Sequence, residues 1–371
     1  MTNLPIQEFL KKRIQLLDEI YKNVPSGVGS KGKIKVTKDL LMEVLTKGTK
    51  WAVSQGYGIK DDIEKTEEYG CMPKADPHSV SDRALQRGMP QLGSLGAGNH
   101  FLEIQKIDQI FDEKIAKTFG INKDFVTVSI HCGSRGLGHQ VASDYIKSME
   151  DKYGFKDLPD RELINAPIQS ELGQKYYAAM SAAVNYAFAN RQLIMHWVRE
   201  SFNKIFGDVK LDLVYDLSHN TSKFEKHKIN SEIKTVYIMR KGATRSFGPG
   251  REELPEIYQN TGQVVLLPGS MGSASYVLVG TKKAEEISFA SAPHGAGRVM
   301  SRNEALRRFR GEKVKSELQK KGIEVKSGSW KGLAEEAPDV YKSIESVAEV
   351  SHELGLGNKV CKVIPLCVIK G

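Results

Sequence analysis

The spacing of apolar positions along the chain predicts long helices separated by shorter strands. Apolar residues recur at helical intervals in 6–22, and residues 38–55 and 136–151 have a similar composition. The longest helical segment is 170–206, which is alanine-rich and contains no proline. Its apolar stripe comprises Tyr177, Met180, Val184, Phe188, Leu193 and Trp197, and that of 6–22 comprises Phe9, Ile14, Leu17 and Ile20. Two more helices, at about 303–321 and 335–354, are expected to close the chain.

Short runs rich in β-branched and aromatic residues predict the strands. They are FLEIQKI (101–107), FVTVSIH (125–131), LDLVYDL (211–217), TVYIM (235–239), VVLL (264–267) and SYVLVG (275–280). Because these runs alternate with long helices without a regular βαβ spacing, we expect a mixed α+β architecture. A length of 371 residues allows one large domain or two ordinary ones.

The composition indicates the kind of partner and the cellular compartment. The chain has 54 Lys and Arg against 45 Asp and Glu, a net charge of +9, which favours polyanionic partners and nucleic acid first. Its four cysteines include no C-x-x-C pair, so a disulfide framework is excluded and a reducing compartment fits best. The first twenty residues are too charged for a signal peptide, and no apolar run is long enough to span a membrane. We therefore expect a cytoplasmic protein.

Four of the nine histidines follow or precede strands in segments of small and polar residues. They are His100 in GAGNHF, His131 in IHCGSRG, His219 in LSHN and His294 in PHGAG. Strand ends cluster at the edges of sheets, so the four imidazoles can converge on one cleft, and neutral imidazole is a common ligand of transition metals. The other five are interpreted as ordinary surface histidines: His78, His139, His196, His227 and His352.

Glycine-rich loops with nearby cations are the second chemical signal. HCGSRGLG (131–138) and PGSMGSAS (268–275) each follow a strand, and glycines let backbone N–H groups turn toward an anion. RKGATR (240–245) adds three cations, and SAPHGAGRVMSR (291–302) places two arginines after one histidine. Each segment alone is also compatible with a tight turn and solvated charges. Together they point to phosphate chemistry.

At this level of detail the sequence resembles a known family. LGSLGAGNHFLEIQ, HCGSRGLGHQ, DLSHNTSKFE, RKGATRSFGPG, VLLPGSMGSASYVLVG, SFASAPHGAGRVMSR and the terminal PLCVIKG look like the RtcB family of RNA-splicing ligases. The blocks occur in order across nearly the whole chain. The resemblance implies one large domain of mixed β-sheets with surrounding helices over residues 1–371, lacking the N-terminal part of the family domain.

The resemblance also implies an activity. The family joins RNA ends that carry a 2′,3′-cyclic phosphate or a 3′-phosphate to ends with a 5′-hydroxyl, and it uses GTP and two Mn²⁺ ions. His294 would be the nucleophile that carries GMP as a phosphoramidate. The implied partners are RNA, as tRNA halves or broken RNA, and an archease-type activator; no membrane is implied.

Site residues follow from matching motifs. His100 would bind one Mn²⁺, and His131 and His219 would bind the other. The nucleotide site would comprise Asn99, Phe101, Glu103, His219, Asn220, Pro268, Gly269, Ser270, Met271, Ser275, His294, Gly295, Ala296, Gly297 and Lys370. The candidates for contact with RNA phosphates are Arg135, Lys241, Arg298 and Arg302.

The chain also departs from the family pattern. The family has an Asp-x-x-Cys-Gly motif whose Asp and Cys bind metal, and this chain has no Asp-x-x-Cys. Cys132 stands where we expect serine, with its side chain expected to face away from that of His131, and Met239 stands where we expect histidine. Weak metal binding is therefore expected. Two alternatives stay open: a catalytically impaired RNA-binding remnant or half of a split ligase, and a metal-dependent phosphoesterase.

Overall fold

The structure is a computed structural model that describes residues 1–156 and 158–371, and it divides into two compact units. The sheet unit comprises Met1–Val28, Leu95–His131 and Trp197–Gly371. The helical unit comprises Gly29–Ser94 and Cys132–His196. Helices and strands are intermixed along the chain, so the predicted α+β class is confirmed. A single domain over 1–371 stays a prediction.

The regular elements are numbered in chain order. The helices are α1 (Ile6–Asn23), α2 (Lys38–Lys47), α3 (Thr49–Ser54), α4 (Lys60–Glu64), α5 (Asp82–Gly88), α6 (Glu113–Thr118), α7 (Arg135–Tyr153), α8 (Glu171–Phe206), α9 (Glu256–Gln259), α10 (Lys282–Ser288), α11 (Arg302–Arg308), α12 (Gly311–Lys320), α13 (Trp330–Glu335) and α14 (Ile344–Glu353). The strands are β1 (Phe101–Ile110), β2 (Val126–His131), β3 (Ser222–Ile229), β4 (Glu232–Met239), β5 (Ala243–Arg245), β6 (Val264–Leu267), β7 (Ser275–Val279), β8 (Ser291–Pro293), β9 (Glu324–Ser327) and β10 (Asn358–Lys370).

The sheet unit is organised by its last strand. A six-stranded sheet runs in the order β2-β1-β10-β7-β6, and β9 also pairs with β10. Strand β10 is antiparallel to β1 and β7 and parallel to β9. The expectation that helices close the chain is therefore wrong. Proline inside an apolar run argues against a strand, but Pro365 lies at a register shift opposite β1, where the ladder is already interrupted.

Two smaller pairings complete the sheet unit. Strands β3 and β4 form a two-stranded antiparallel hairpin, and β5 pairs with β8. The strand predicted at 211–217 is wrong, because that described segment contains only isolated bridges, at Leu211, which pairs with Thr2, and at Asp216. Val214 and Tyr215 instead pack against the core around Ile107 and Val264. Their apolar character reflects burial and not membership of a sheet.

The predicted helices are confirmed in place but are divided more finely than the pattern suggests. Gly48, at φ +55°, ends α2 and separates it from α3. Phe309 is extended and separates α11 from α12. Helix α1 leaves helical geometry at Lys12, and Ile14, one of its predicted apolar stripe, is 54% exposed while Leu16 is buried.

The helical unit is built around the first part of α8. Its core combines small residues of α8, such as Ala179 and Ala182, with Leu41 and Leu45 of α2. Three fully or nearly fully buried amides, Asn185, Asn190 and Gln192, bind the backbone of neighbouring loops in the same unit. Buried polar groups need such partners, so this helix positions loops as well as packing against other helices.

Candidate active site

The register of the central sheet brings together three residues from distant parts of the chain. Phe101, the first residue of β1, lies opposite Lys370 on one side and His131 on the other. Directly paired residues of an antiparallel ladder share a face, so all three side chains point the same way. The Lys370 Nζ lies 5.8 Å from the centroid of the Phe101 ring, and the His131 ring centroid lies 5.3 Å from it.

The imidazole rings of His100, His131, His219 and His294 form a row that includes the His131 ring beside Phe101. The ring centroids of His100 and His131 are 5.8 Å apart, those of His131 and His219 are 5.1 Å apart, and those of His219 and His294 are 4.7 Å apart. The predicted convergence of the four strand-end histidines is confirmed as geometry. His227, interpreted above as a surface residue, is 2% exposed and lies outside this row, so that interpretation was wrong.

Two neighbouring members of the row, His131 and His219, are spaced as two ligands of one metal ion would be. Burial, followed by the neighbouring His219 and His100, holds the pKa of His131 well below its usual value. Its Nε2 lies 3.4 Å from the Nε2 of His219. Two imidazole nitrogens that share one metal at about 2.1 Å are about 3 to 3.5 Å apart, so these two residues fit a common ion. Among the described residues, no group of three or more His, Cys, Asp and Glu side chains could hold a metal ion.

Short strands hold His294 at the end of the row. Strand β8 immediately precedes it, β8 pairs with β5, and Thr244 of β5 bridges to His219. The His294 N–H donates to the Gly242 carbonyl at 3.3 Å, and the Gly242 N–H donates to Asn220 Oδ1 at 2.7 Å. Gly242 has φ +73°, a conformation that glycine adopts without strain. Asn220 therefore supports the turn that holds the backbone of His294.

Protonation of His294 is disfavoured in this position. Burial is the main cause of a lowered His294 pKa; its own backbone hydrogen bond opposes the shift, and the nearby Lys241 adds to it. The imidazole is therefore neutral at pH 7 and keeps a lone pair on one ring nitrogen. A neutral imidazole can act as a nucleophile or a metal ligand.

A buried ion pair under the β3–β4 hairpin holds the segment that leads into His294. The Arg240 guanidinium donates to both carboxylate oxygens of Glu225, at 2.7 and 2.8 Å, and to the Phe289 carbonyl at 2.9 Å and Ser291 Oγ at 3.0 Å. His227 lies 3.0 Å from Glu225. Burial acts to raise the Glu225 pKa, but the hydrogen bonds from Arg240 and His227 outweigh it and lower the pKa to about 2. Of the three cations in RKGATR, Arg240 and Arg245 are thus buried, and Lys241 is exposed.

The loop between β6 and β7 forms one wall of a cleft beside His294. A side chain on Gly269 would come within 2.0 Å of the Ala274 carbonyl oxygen, so the close approach requires glycine. The Gly269 N–H donates to Ser275 Oγ at 3.0 Å, and the Ser270 N–H donates to Ser273 Oγ at 2.7 Å. The backbone N–H groups of Gly269 and Ser270, which were expected from the sequence to face an anion, are therefore hydrogen-bonded to serine hydroxyls of the same segment.

Glu103 and Lys370 place an acidic and a basic group on the same face of the sheet. Burial raises the Glu103 pKa to about 8, although Gln105 and Lys370 act to lower it. Burial lowers the Lys370 pKa to about 8, against the attraction of Glu336 and Glu103. Glu103 Oε2 accepts a hydrogen bond from Gln105, whereas Oε1 is buried without a partner within the described residues. A buried carboxylate oxygen without a donor is costly, and a bound ligand with N–H groups could supply one.

Two cleft residues were missed by the sequence reasoning. The cleft is lined by Asn99, Phe101, His131, Pro268, Gly269, Ser270, Met271, His294, Gly295, Ala296, Glu336, Tyr341 and Lys370. Glu336 and Tyr341 come from the segment EEAPDVY, which carries no motif signal of its own. The backbone at 297–299 pairs with 340–342, so these residues reach the cleft through the fold.

Glu336 also determines where two predicted RNA-binding arginines point. It is 2% exposed, accepts a hydrogen bond from Arg298 at 3.1 Å and from the Tyr341 hydroxyl, and lies 3.8 Å from Arg302. Arg298 also donates to the carbonyls of Glu335 and Met300. Its guanidinium is thus occupied within the protein, whereas the Arg302 side chain is 58% exposed and sits at the start of α11.

The fourth predicted RNA contact belongs to the helical unit. Arg135 begins α7 and donates to Ser94 Oγ at 3.3 Å and to Ser30 Oγ at 3.0 Å. Cys132, in the same unit, is 1% exposed, and its Sγ contacts the Ser94 carbonyl and the Asn190 amide. Its packing is that of a structural cysteine. No helix in the described part of the chain is long and apolar enough to cross a membrane.

Comparison with known proteins agrees with the motifs. The family model described as "tRNA-splicing ligase RtcB" matches residues 1–371. Three proteins named tRNA-splicing ligase RtcB are similar over 100% of this chain: that of Methanococcus maripaludis at 54% identity, that of Pyrococcus furiosus at 52% and that of Pyrococcus horikoshii at 51%. The matched part is 78% of the first relative's own length, 39% of the second's and 43% of the third's.

Proposed function

The chain belongs to the RtcB family of tRNA-splicing ligases, and on that basis we propose that it joins RNA ends through a GMP carried on His294. The substrates are an RNA end with a 3′-phosphate, or a 2′,3′-cyclic phosphate first opened by water, and an RNA end with a 5′-hydroxyl. GTP supplies the energy. Suitable RNAs are tRNA halves and broken RNA, and an archease-type activator is proposed as a protein partner.

One observation carries the proposal: the neutral His294 imidazole borders the same cleft as Lys370, and Glu103 lies on the same face of the sheet as Lys370. In the first step a His294 nitrogen attacks the α-phosphorus of GTP. The P–N bond forms, the bond to the β-phosphate oxygen breaks, and pyrophosphate leaves. A lowered His294 pKa keeps the attacking lone pair available at neutral pH.

Two transfers follow. An oxygen of the RNA 3′-phosphate attacks the α-phosphorus, the P–N bond breaks, and GMP passes to the RNA end. The 5′-hydroxyl of the second RNA then attacks the activated 3′-phosphorus and loses its proton, and GMP leaves as the phosphodiester forms. His294 ends the cycle as it began, and Asn220 and Arg240 keep its backbone in position throughout.

His131 and His219 would hold one Mn²⁺, and His100 would contribute to a second. When bound, Mn²⁺ offsets the negative charge of the triphosphate and of the departing pyrophosphate. The 3.4 Å separation of the His131 and His219 Nε2 atoms supports a shared ion. Lys241 is exposed beside the Gly242 turn and can contribute positive charge at the same place.

Recognition of the guanine base is assigned to Glu103 and Lys370. Guanine carries N–H donors and the O6 acceptor on one edge. The unpartnered Glu103 Oε1 can accept from the donors, and the Lys370 ammonium can donate to O6. Guanine would thus give hydrogen-bond partners to both Glu103 and Lys370, and these partners would offset the cost of burial that shifts the two pKa values. Arg302 is the better candidate for an RNA phosphate, since Arg298 is already engaged with Glu336.

The proposal is tested by labelling with α-³²P GTP and Mn²⁺, followed by denaturing electrophoresis. We expect covalent label on the wild type, none on His294→Ala, and wild-type label on the control His352→Ala, which changes an exposed histidine. Label that survives in His294→Ala would overturn the assignment. RNA binding without any label would favour a non-catalytic remnant, and phosphate release from RNA without GTP would favour a phosphoesterase.

A further inference from the structure

The β3–β4 hairpin has two chemically different faces. Residues of β3 alternate strictly: Lys223, Glu225 and His227 are buried, and Phe224, Lys226 and Lys228 are exposed. The buried face is the one that contains the ion pair with Arg240. The other face is turned to solvent and has no role in the site described above.

The solvent face is defined by the strand register. Directly opposed residues share a face, which gives four successive rungs about 7 Å apart. The rungs, from the Arg240 end outward, are Ser222 with Met239, Phe224 with Tyr237, Lys226 with Thr235, and Lys228 with Ile233. We call these eight residues the outer face. It contains no carboxylate and two lysines.

The outer face exposes several large apolar side chains to solvent. Met239 and Ile233 are each 75% exposed, and Phe224 is 37% exposed. The Phe224 and Tyr237 rings lie 4.9 Å apart at 47°. Exposed apolar groups grouped with cations mark an interaction surface, whereas scattered ones carry no such meaning.

The position of the outer face points to a particular partner. Its Met239 end continues directly into Arg240, Lys241 and Gly242, and the Gly242 carbonyl accepts the His294 N–H. A chain that lies along the four rungs would therefore lead toward the turn that holds the backbone of the proposed nucleophile. Such a chain must be polyanionic to match Lys226 and Lys228, and must present flat faces to Phe224 and Tyr237.

We propose that the outer face of the β3–β4 hairpin is a stacking platform for the single-stranded RNA whose end is processed at His294. Bases stack on Phe224, Tyr237 and Met239, and Lys226 and Lys228 contact phosphates. Stacking on aromatic side chains beside a cationic track is how proteins hold single strands with little sequence preference. The proposal rests on the proposed function, because RNA is the substrate in both.

The test is a fluorescence anisotropy titration with two labelled single-stranded RNAs, one ending in 3′-phosphate and one beginning with 5′-hydroxyl. Phe224→Ala should weaken binding of at least one of them about tenfold, and Phe224→Trp should retain wild-type affinity. The matched control is Phe111→Ala, in the same unit, because Phe111 is 38% exposed. It should bind within twofold of the wild type.

Salt dependence tests the lysines separately. Each phosphate contact to a single strand contributes about 0.7 to the slope of log affinity against log salt. Lys226→Gln/Lys228→Gln should therefore reduce the slope by about 1.4, and the exposed-lysine control Lys123→Gln should leave it unchanged. An RNA too short to reach the Phe224 rung should bind the wild type and Phe224→Ala equally.

The outcomes separate this proposal from the ligase proposal. Labelling of His294 by GTP needs no RNA, so Phe224→Ala should label like the wild type. If the wild type labels and binds RNA but both RNAs bind Phe224→Ala with unchanged affinity, the platform is overturned and the ligase proposal stands. If Phe224→Ala keeps its RNA affinity and loses self-association in sedimentation, the outer face is a contact between copies of the chain and the platform is again overturned.

Discussion

Two buried glutamates in the sheet unit show opposite ways of burying a charge. Glu225, under the β3–β4 hairpin, is 4% exposed and is held by Arg240 through two hydrogen bonds, with His227 beside it. Glu103, on the sheet face beside the cleft, is 1% exposed and receives one hydrogen bond, from the neutral Gln105. The Glu225 pKa is lowered to about 2, and the Glu103 pKa is raised to about 8.

This difference distinguishes a completed structural pair from an incomplete binding site. A buried carboxylate is tolerated when partners satisfy both oxygens, as they do at Glu225. Glu103 keeps one oxygen without a donor among the described residues, while Lys370 on the same face has a pKa lowered to about 8. The desolvation of Glu103 and Lys370 is thus not offset by partners within the protein, and these are the residues proposed to bind the guanylate. Three experiments test whether the two regions differ in this way.

The largest effect is expected from Glu225→Gln on stability. Removing one partner of a buried ion pair leaves Arg240 uncompensated, so the free energy of unfolding should fall by about 3 to 5 kcal/mol. Urea unfolding followed by circular dichroism measures it. The control Glu43→Gln, which breaks an exposed i,i+4 pair with Lys47, should change stability by less than about 0.5 kcal/mol. A loss at Glu225 no larger than that of the control would contradict the comparison.

A smaller effect, on ligand binding, is expected from Glu103→Gln. A glutamine keeps the size of the carboxyl group, but its amide oxygen is a weaker acceptor than the carboxylate that would face the guanine N–H groups. The GTP concentration for half-saturation of His294 labelling should therefore rise about 10- to 100-fold. Near pH 4, where the Glu103 carboxyl is protonated in the folded state and largely protonated in the unfolded state, stability should change by less than about 1 kcal/mol.

Inosine triphosphate, which lacks the guanine amino group, provides the control for that variant. The wild type should prefer GTP to inosine triphosphate, and Glu103→Gln should lose much of this preference. If both proteins discriminate equally between the two nucleotides, Glu103 does not read the base amino group.

The third experiment measures the pH dependence of stability, whose slope is at most about 1.4 kcal/mol per pH unit for each group. The depressed Glu225 pKa contributes stability that is present above its ordinary value of 4.5 and is lost as pH falls toward 2. The raised Glu103 pKa acts in the opposite sense, because the folded state binds the proton more tightly, so stability falls as pH rises from 4.5 toward 8.

Unfolding free energies measured across this range should therefore separate the two groups. Glu225→Gln should flatten the acid side of the profile, and Glu103→Gln should flatten the side between pH 5 and 8. Profiles that match the wild type over these windows would show that neither group titrates as described.

Much of the fold could be predicted because local patterns agree with the final elements. The apolar stripe and composition of 170–206 predicted α8, and β-branched runs predicted β1, β2, β6 and β7. Prediction was wrong where tertiary context outweighs local pattern. Residues 211–217 are apolar because Tyr215 packs into a core and not because they pair, and β10 contains Pro365 at an interruption that only its partner strand creates.

The residues of the candidate active site likewise fall into those that the sequence identified and those whose contacts only the structure shows. The sequence by itself determined the family, through ordered motifs, and with it the choice of His294 and of the other three imidazoles as candidates. It could not show that Lys370 lies opposite Phe101, that Glu336 occupies the Arg298 guanidinium, or that His227 is buried beside Glu225. A motif records which side chains are available. Register and burial decide which of them meet and which carry a charge, because both depend on the packing of the whole unit, including pairs as distant in the chain as Phe101 and Lys370.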